Sequence, residues 1–274
     1  MEFRKPGPVY SALVGLTARR RLPVPLRSAA YRAFARATGA DLDEAELDLR
    51  AYSSLGDLFA RRLRPGARPI DPAHDAIITP CDGVIAARGK AVDGALIQAK
   101  GKQYQLEDLV VDDELAARLR GGDYATIYLS PRDYHRVHSP IDARLVRYDY
   151  VPGALWPVNP IVAARRDRLL SRNERVVIVL DAGRFGRVAV VMVGAAGVGN
   201  IKLEHAAESA TWRHAGERRC IELDVPIERG DELGAFRLGS TVVMIFEPGR
   251  IALDGDEGQV VRFGQRMGRI GGFS

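Results

Sequence analysis

Cysteine is almost missing from this 274-residue chain. The two present, Cys81 and Cys220, form no Cys-x-x-Cys pair. That argues against a disulfide framework, a structural zinc site and a redox motif, and it fits a reducing, cytosolic-side location. Lysine is scarce as well, with only Lys5, Lys90, Lys100, Lys102 and Lys202, so arginine carries nearly all of the positive charge behind the net +5. No apolar run reaches the roughly 18 residues of a membrane-spanning helix. The start, Met1-Glu2-Phe3-Arg4-Lys5-Pro6, leads into no apolar signal core with a small-residue cleavage site.

What is there looks globular: 46% hydrophobic and 27% charged residues are ordinary values for a packed core. The length suits one large or two modest domains. Mild basicity suits anionic partners, whether nucleic acid, anionic lipid or a phosphorylated substrate, without choosing among them.

Residues 8–40 read as helical. An apolar stretch, Val9 to Leu16, precedes Arg19-Arg20-Arg21. Beyond Pro23 and Pro25, Leu26, Ala30, Ala33, Phe34 and Ala37 fall on one helical face, with Arg27, Arg32 and Arg36 at its edges or opposite. Pro25 suits a helix start and Gly39 a stop. Two readings stay open: a basic amphipathic helix lying on a membrane surface, or a helix packed on its own domain with solvated arginines. Ser54 with Asp57 three residues on predicts a capped short helix, broken by Arg64-Pro65-Gly66.

From about residue 76 the pattern turns to β. Short apolar segments at 84–87, 95–99, 124–129, 144–151, 175–180, 187–193, 219–225, 241–246 and 259–263 are separated by Gly, Pro and Asp. Val188–Val193 is continuously apolar and predicts a strand buried on both faces. Residues 181–186 read as a hairpin loop. The expected fold is α+β and β-rich, a compact barrel or sandwich of short strands with N-terminal helices.

Three features carry candidate chemistry. Ser130-Pro131-Arg132-Asp133-Tyr134-His135-Arg136-Val137-His138-Ser139-Pro140 places two histidines between prolines. They could bind a metal with a carboxylate, act as acid and base, or be hydrogen-bonded structural groups. On a strand their side chains diverge, which would give them separate jobs. Asp82 in Pro80-Cys81-Asp82-Gly83 is either a turn residue or a carboxylate that orients an imidazole. Leu238-Gly239-Ser240-Thr241 opens the apolar run 242–246; it is a loop before a strand, or a bond whose Ser240 hydroxyl attacks the uncrowded Gly239 carbonyl. Asp82, His138 and Ser240 would then make a carboxylate–imidazole–hydroxyl triad. Ser240 lacks the Gly-x-Ser-x-Gly elbow, and regular crossover helices are missing, which disfavours an ordinary α/β-hydrolase.

These blocks, with Phe59-Ala60-Arg61-Arg62-Leu63-Arg64-Pro65-Gly66-Ala67-Arg68-Pro69-Ile70, Lys100-Gly101-Lys102-Gln103-Tyr104, Tyr150-Val151-Pro152-Gly153 and Asn173-Glu174-Arg175, resemble the phosphatidylserine decarboxylases over roughly residues 50–265. Cys81 departs from the small apolar residue common in that family. The resemblance implies a pyruvoyl-dependent, self-processing proenzyme. His138, oriented by Asp82, takes the Ser240 proton, the chain is cut at Gly239-Ser240, and Ser240 becomes a covalent pyruvoyl group. Phosphatidylserine then reacts through a Schiff base to give phosphatidylethanolamine and CO2, with His135 serving the decarboxylation or proton transfer.

Further expectations follow from the resemblance. The large chain 1–239 and small chain 240–274 stay associated, and residues 1–48 form a membrane-associating region beside a catalytic domain, 49–274. No resident metal and no nucleic acid are implied. The location is peripheral, on the cytoplasmic side of the cell membrane, where an anionic surface is a partner, and a homo-oligomer is left open. Three rivals predict differently: a pyruvoyl decarboxylase of a soluble amino acid, a zinc metallopeptidase-like β-barrel using His135, His138 and Asp82, and a non-enzymatic binding module.

Overall fold

A computed structural model describes residues 20–99, 101–195, 201–206, 216–237 and 240–271. The expectations for residues 1–19, including Val9–Leu16, and for Gly239 fall outside them. The first described helix, α1 (Val24–Thr38), begins with Pro25 in its first turn and ends at Gly39, whose φ of 78° is the left-handed cap that glycine adopts without strain. Helix α2 (Leu55–Phe59) starts on Ser54, whose hydroxyl accepts from the Asp57 N–H at 3.1 Å. Both starts match the sequence reading. Tyr31, Ala45, Tyr52 and Leu58 form a small core that joins residues 20–48 to α2.

The chain then runs through β1 (Ala76–Ile78), β2 (Gly83–Lys90), β3 (Ala95–Ala99), β4 (Lys102–Gln105), α3 (Leu106–Val110) and α4 (Asp113–Leu119). Next come β5 (Asp123–Leu129), β6 (Arg136–His138), β7 (Ala143–Val151), α5 (Pro160–Ala163) and α6 (Leu169–Arg172). After these lie β8 (Arg175–Asp181), β9 (Arg187–Val193), β10 (Ile201–Leu203), β11 (Arg219–Ile227) and β12 (Glu232–Phe236). Last are β13 (Ser240–Phe246), β14 (Ile251–Leu253), β15 (Val260–Val261) and β16 (Arg266–Ile270).

Eight strands form one antiparallel sheet in the order β11-β7-β8-β9-β13-β5-β2-β15. Two three-stranded sheets, β1-β16-β14 and β10-β12-β6, flank it. The β-rich α+β expectation matches. The described strands make an open, sandwich-like stack rather than a closed barrel, since β11 and β15 are free edges of the large sheet. Every nominated apolar segment contains a strand, and the 181–186 hairpin joins β8 to β9.

Strand β13 lies between β9 and β5 and all seven of its residues are buried. Burying each large apolar side chain of this run contributes about 1.5–3 kcal/mol. The head of β13 is thereby held at one end of the sheet. There the registers Val151↔Arg175, Arg175↔Val193, Val193↔Thr241 and Thr241↔Tyr128 line up in one row.

Candidate active site

Ser240 is the first residue of β13 and pairs with Leu129 at the end of β5. It is fully buried, and among the described residues its Oγ has no hydrogen-bond partner. Leaving a buried hydroxyl unpaired costs about 1–3 kcal/mol, so such a group asks for a chemical reason.

The loop after Leu129 ties itself together: the Ser130 N–H and hydroxyl both donate to Asp133 Oδ2 at 2.7 Å. This fixes the entry to the two histidines. The His135 Nδ1–H donates to the Asp133 carbonyl at 2.7 Å, since a carbonyl only accepts. Its Nε2 therefore carries the lone pair, and that atom is buried without a hydrogen-bond partner among the described residues. The ring packs edge-on against Phe59 at 5.0 Å, and Phe59 packs on Phe34 of α1 at 5.3 Å. Burial pulls the His135 pKa from 6.5 to about 4, with the Arg61 cation pushing the same way.

His138, on β6, has different surroundings from His135, which lies in the loop just before that strand. Its Nδ1–H donates to the Gly230 carbonyl at 2.8 Å, and its Nε2 accepts from the Tyr134 hydroxyl at 2.9 Å. The ring stacks on Phe263 at 3.8 Å. Burial again brings the pKa to about 4. Both rings are thus neutral at neutral pH, with basic Nε2 atoms.

Asp82 is also buried, but its partner is not the one expected. Arg68 grips it through Nε at 3.0 Å and Nη2 at 2.7 Å, and the Phe263 N–H donates at 2.8 Å. The same guanidinium forks onto Glu44 with two 2.8 Å bonds, and this hydrogen bonding lowers the Glu44 pKa. The anticipated Asp82–His138 hydrogen bond is therefore not made in this structure. A bidentate, charge-assisted pair outcompetes a neutral imidazole N–H, which a backbone carbonyl already satisfies. Asp82 reaches His138 through Phe263, holding its backbone while its ring covers the imidazole. Nor is a hydrogen bond made between Ser240 Oγ and His138, whose Nε2 is occupied by Tyr134.

Gly83, after Asp82, has a stricter role than a turn. A side chain there would meet the Tyr128 carbonyl at 2.5 Å, so only glycine lets β2 approach β5 beside the site. Cys81 is a buried thiol whose pKa burial pushes well up, an inert hydrophobe next to Asp82. Sequence reasoning missed Tyr134, Arg68, Gly230 and Phe263. Tyr134 and Arg68 stand in quoted motifs, while Gly230 and Phe263 carry no local signal. Among the described residues no cluster of three His, Cys, Asp or Glu side chains has a metal-binding arrangement, so the zinc reading has no ligand set there.

The two depressed imidazoles predict a pH dependence. The unfolded chain binds protons below about pH 6.5, while the folded rings refuse them until about pH 4. Their contribution to stability is complete above 6.5 and is lost as pH falls, by about 2 kcal/mol per imidazole at pH 5. Urea midpoints at pH 7.5 and 5 measure this. Replacing either histidine with glutamine should reduce the drop, and an unchanged midpoint between the two pH values would contradict it.

Comparison with known proteins now decides the family. The family model described as phosphatidylserine decarboxylase matches residues 55–269. The chain belongs to the phosphatidylserine decarboxylase family. It is 44% identical to the phosphatidylserine decarboxylase proenzyme of Anaeromyxobacter sp. (strain K), over 96% of this chain and 94% of that one. It is 40% identical to the proenzyme of Myxococcus xanthus over 97% and 95%, and 38% identical to that of Acinetobacter baylyi over 89% and 85%. As a member of this family, the chain is a decarboxylase.

Proposed function

We propose that this chain is the proenzyme of a phosphatidylserine decarboxylase, cut once at Gly239-Ser240. It then converts phosphatidylserine to phosphatidylethanolamine and CO2. The observation that carries the reading is the buried, unpartnered Ser240 hydroxyl at the head of a fully buried central strand. Cleavage starts when that oxygen bonds to the Gly239 carbonyl carbon and the C–N bond breaks, turning the peptide into an ester. His138 takes the hydroxyl proton on Nε2 once the Tyr134 hydroxyl yields it, and Asp82 steadies the imidazole through Phe263. Loss of the Ser240 α-proton expels the ester oxygen and leaves residues 1–239 as the large chain. Hydrolysis releases ammonia and leaves a pyruvoyl group on the small chain, 240–274.

The site fits that group: the strand that would bear it is anchored on both sides, and a neutral imidazole stands in the loop after Leu129, the pairing partner of Ser240. The pyruvoyl group supplies the electron-accepting carbonyls that decarboxylation requires. His135 moves the proton in the decarboxylation through its unpartnered Nε2. The sheet keeps the two chains associated, because β13 hydrogen-bonds to β9 and β5 of the large chain.

The lipid substrate requires work at a bilayer, here at a peripheral location on the cytoplasmic side, and the exposure of α1 supports the surface contact. Most of its apolar face points outward: Leu26 is 58% exposed, and Ala30, Ala33 and Ala37 are exposed too, while Phe34 packs on Phe59 and Tyr31 is buried. Among the described residues no helix is long and apolar enough to cross a membrane. The test is purified protein given phosphatidylserine in mixed micelles. Equal release of CO2 and phosphatidylethanolamine supports the proposal; release of CO2 from free serine alone contradicts it. Leu26→Glu should also weaken flotation with anionic liposomes.

A further inference from the structure

The chain between β7 and β8 does more than connect them. Residues 154–172 leave and re-enter the sheet at one point, where the Ala154 N–H donates to Arg172 O at 2.9 Å and the Glu174 N–H to Ala154 O at 2.8 Å. Asn173 binds the root to the row beside Ser240, donating from Nδ2 to Gly194 O and to Trp156 O, each at 2.8 Å. Gly194 follows Val193, the partner of Thr241. The root on β8 is thus two strand spacings from β13, roughly 10 Å. Gln98, itself buried, holds the far part of the loop: its amide donates to the carbonyls of Ala163 and Arg166 and accepts from the Leu169 N–H, all at 2.7 Å. The loop is therefore a built platform, spread over a cavity of about 370 Å³ whose walls include Val158, Pro160, Leu170 and Thr241.

Its outer surface is unusual for a platform held this firmly. Ile161, at 65% exposure, is the most exposed large hydrophobic side chain among the described residues, and Pro160 beside it is exposed. Trp156, Pro157 and Val162 are half-exposed around it. The Arg166 guanidinium lies over the Trp156 ring at 3.8 Å. Residues 154–172 hold four arginines against the single carboxylate of Asp167. An apolar tip with an indole beside it and a rim of arginines has the chemistry of an interfacial membrane contact. Indole rings favour the headgroup level, and each cation near an anionic surface adds attraction.

We propose that residues 154–168 form a second bilayer contact, separate from α1. Here Ile161 and Trp156 enter the headgroup region of an anionic phospholipid surface and Arg166 meets its phosphates. This rests on the reading of the chain as an enzyme of membrane lipid. Both contacts lie at the end of the sheet that bears Ser240. The far end of α1 comes within reach of Arg132, in the loop after Leu129: a side chain on Gly39 would lie 3.9 Å from Arg132 Cδ. Two contacts near the Ser240 end would hold that end against the membrane.

The chain has two tryptophans, so Trp212→Phe leaves Trp156 as the sole indole. The experiment adds that full-length variant to vesicles of phosphatidylcholine and phosphatidylglycerol with brominated acyl chains, lacking phosphatidylserine so that the catalytic site stays without substrate. The expected result is flotation with the vesicles together with quenching of Trp156. A further Ile161→Asp change should weaken vesicle binding about tenfold. Flotation without quenching overturns the second contact and leaves the membrane reading standing. Failure to float overturns both. Trp156 emission that follows protein concentration instead of lipid assigns the patch to a second copy of the chain and overturns the proposal.

Discussion

Ser240→Ala should leave a single uncut chain of 274 residues with no decarboxylase activity. The effect on function is total because this side chain is both the nucleophile of the cut and the source of the electron-accepting group. The effect on folding should be slight or even favourable. Ser240 is fully buried and its hydroxyl has no partner, so alanine removes an unsatisfied polar group and almost no packing. Thermal melting equal to or above that of a cleavage-blocked reference, with one band on a denaturing gel, is the expected pair of results. A Ser240→Ala chain that is still cut would show that another residue attacks.

His138→Gln should stop the cut, whereas His135→Gln should permit it and then lower turnover by about a hundredfold or more, the usual worth of a positioned acid or base. The two rings share a tautomer and a depressed pKa but face different neighbours. His138 sits between Gly230, Tyr134 and Phe263, the last held by Asp82. His135 faces Phe59 and presents a bare Nε2. Glutamine keeps a polar group in each place without a titrating base, so loss of cleavage reports chemistry in a chain that still folds. Cleavage is read on a denaturing gel and turnover as CO2 released per cut chain. Both variants cutting and turning over normally would remove the assignment.

Long apolar segments were legible because their burial is continuous: β9 and β13 are buried along nearly their whole length, and Val188–Val193 announces this. Helix α1 was legible at both ends through Pro25 and Gly39. Its orientation was not, since apolar periodicity marks a face without saying whether protein or bilayer covers it. Short strands such as β6 and β10, three residues each, hold too little pattern to register a period of two. Helices α3 and α4 were missed although Leu106, Leu109, Val110, Leu115 and Leu119 are all buried. Val111, in a left-handed conformation at φ 55°, breaks the run into two short pieces.

At the site, Asp82, His135, His138 and Ser240 were nominated from motifs, and the structure places all four in buried positions. Their hydrogen bonds were not legible. Arg68 captures Asp82 from 14 positions away and Phe263 from 181, and only folding brings such groups together. The empty valences of Ser240 Oγ and His135 Nε2 are likewise properties of the packed state.

The central claim is that the Gly239-Ser240 bond is cut by the chain itself. Intact mass of the purified wild-type protein under denaturing conditions tests it most directly. The account predicts two species, residues 1–239 and residues 240–274, the smaller lighter than its serine-initiated sequence by one ammonia and blocked to N-terminal sequencing. A single uncut chain in a preparation that decarboxylates phosphatidylserine would contradict it.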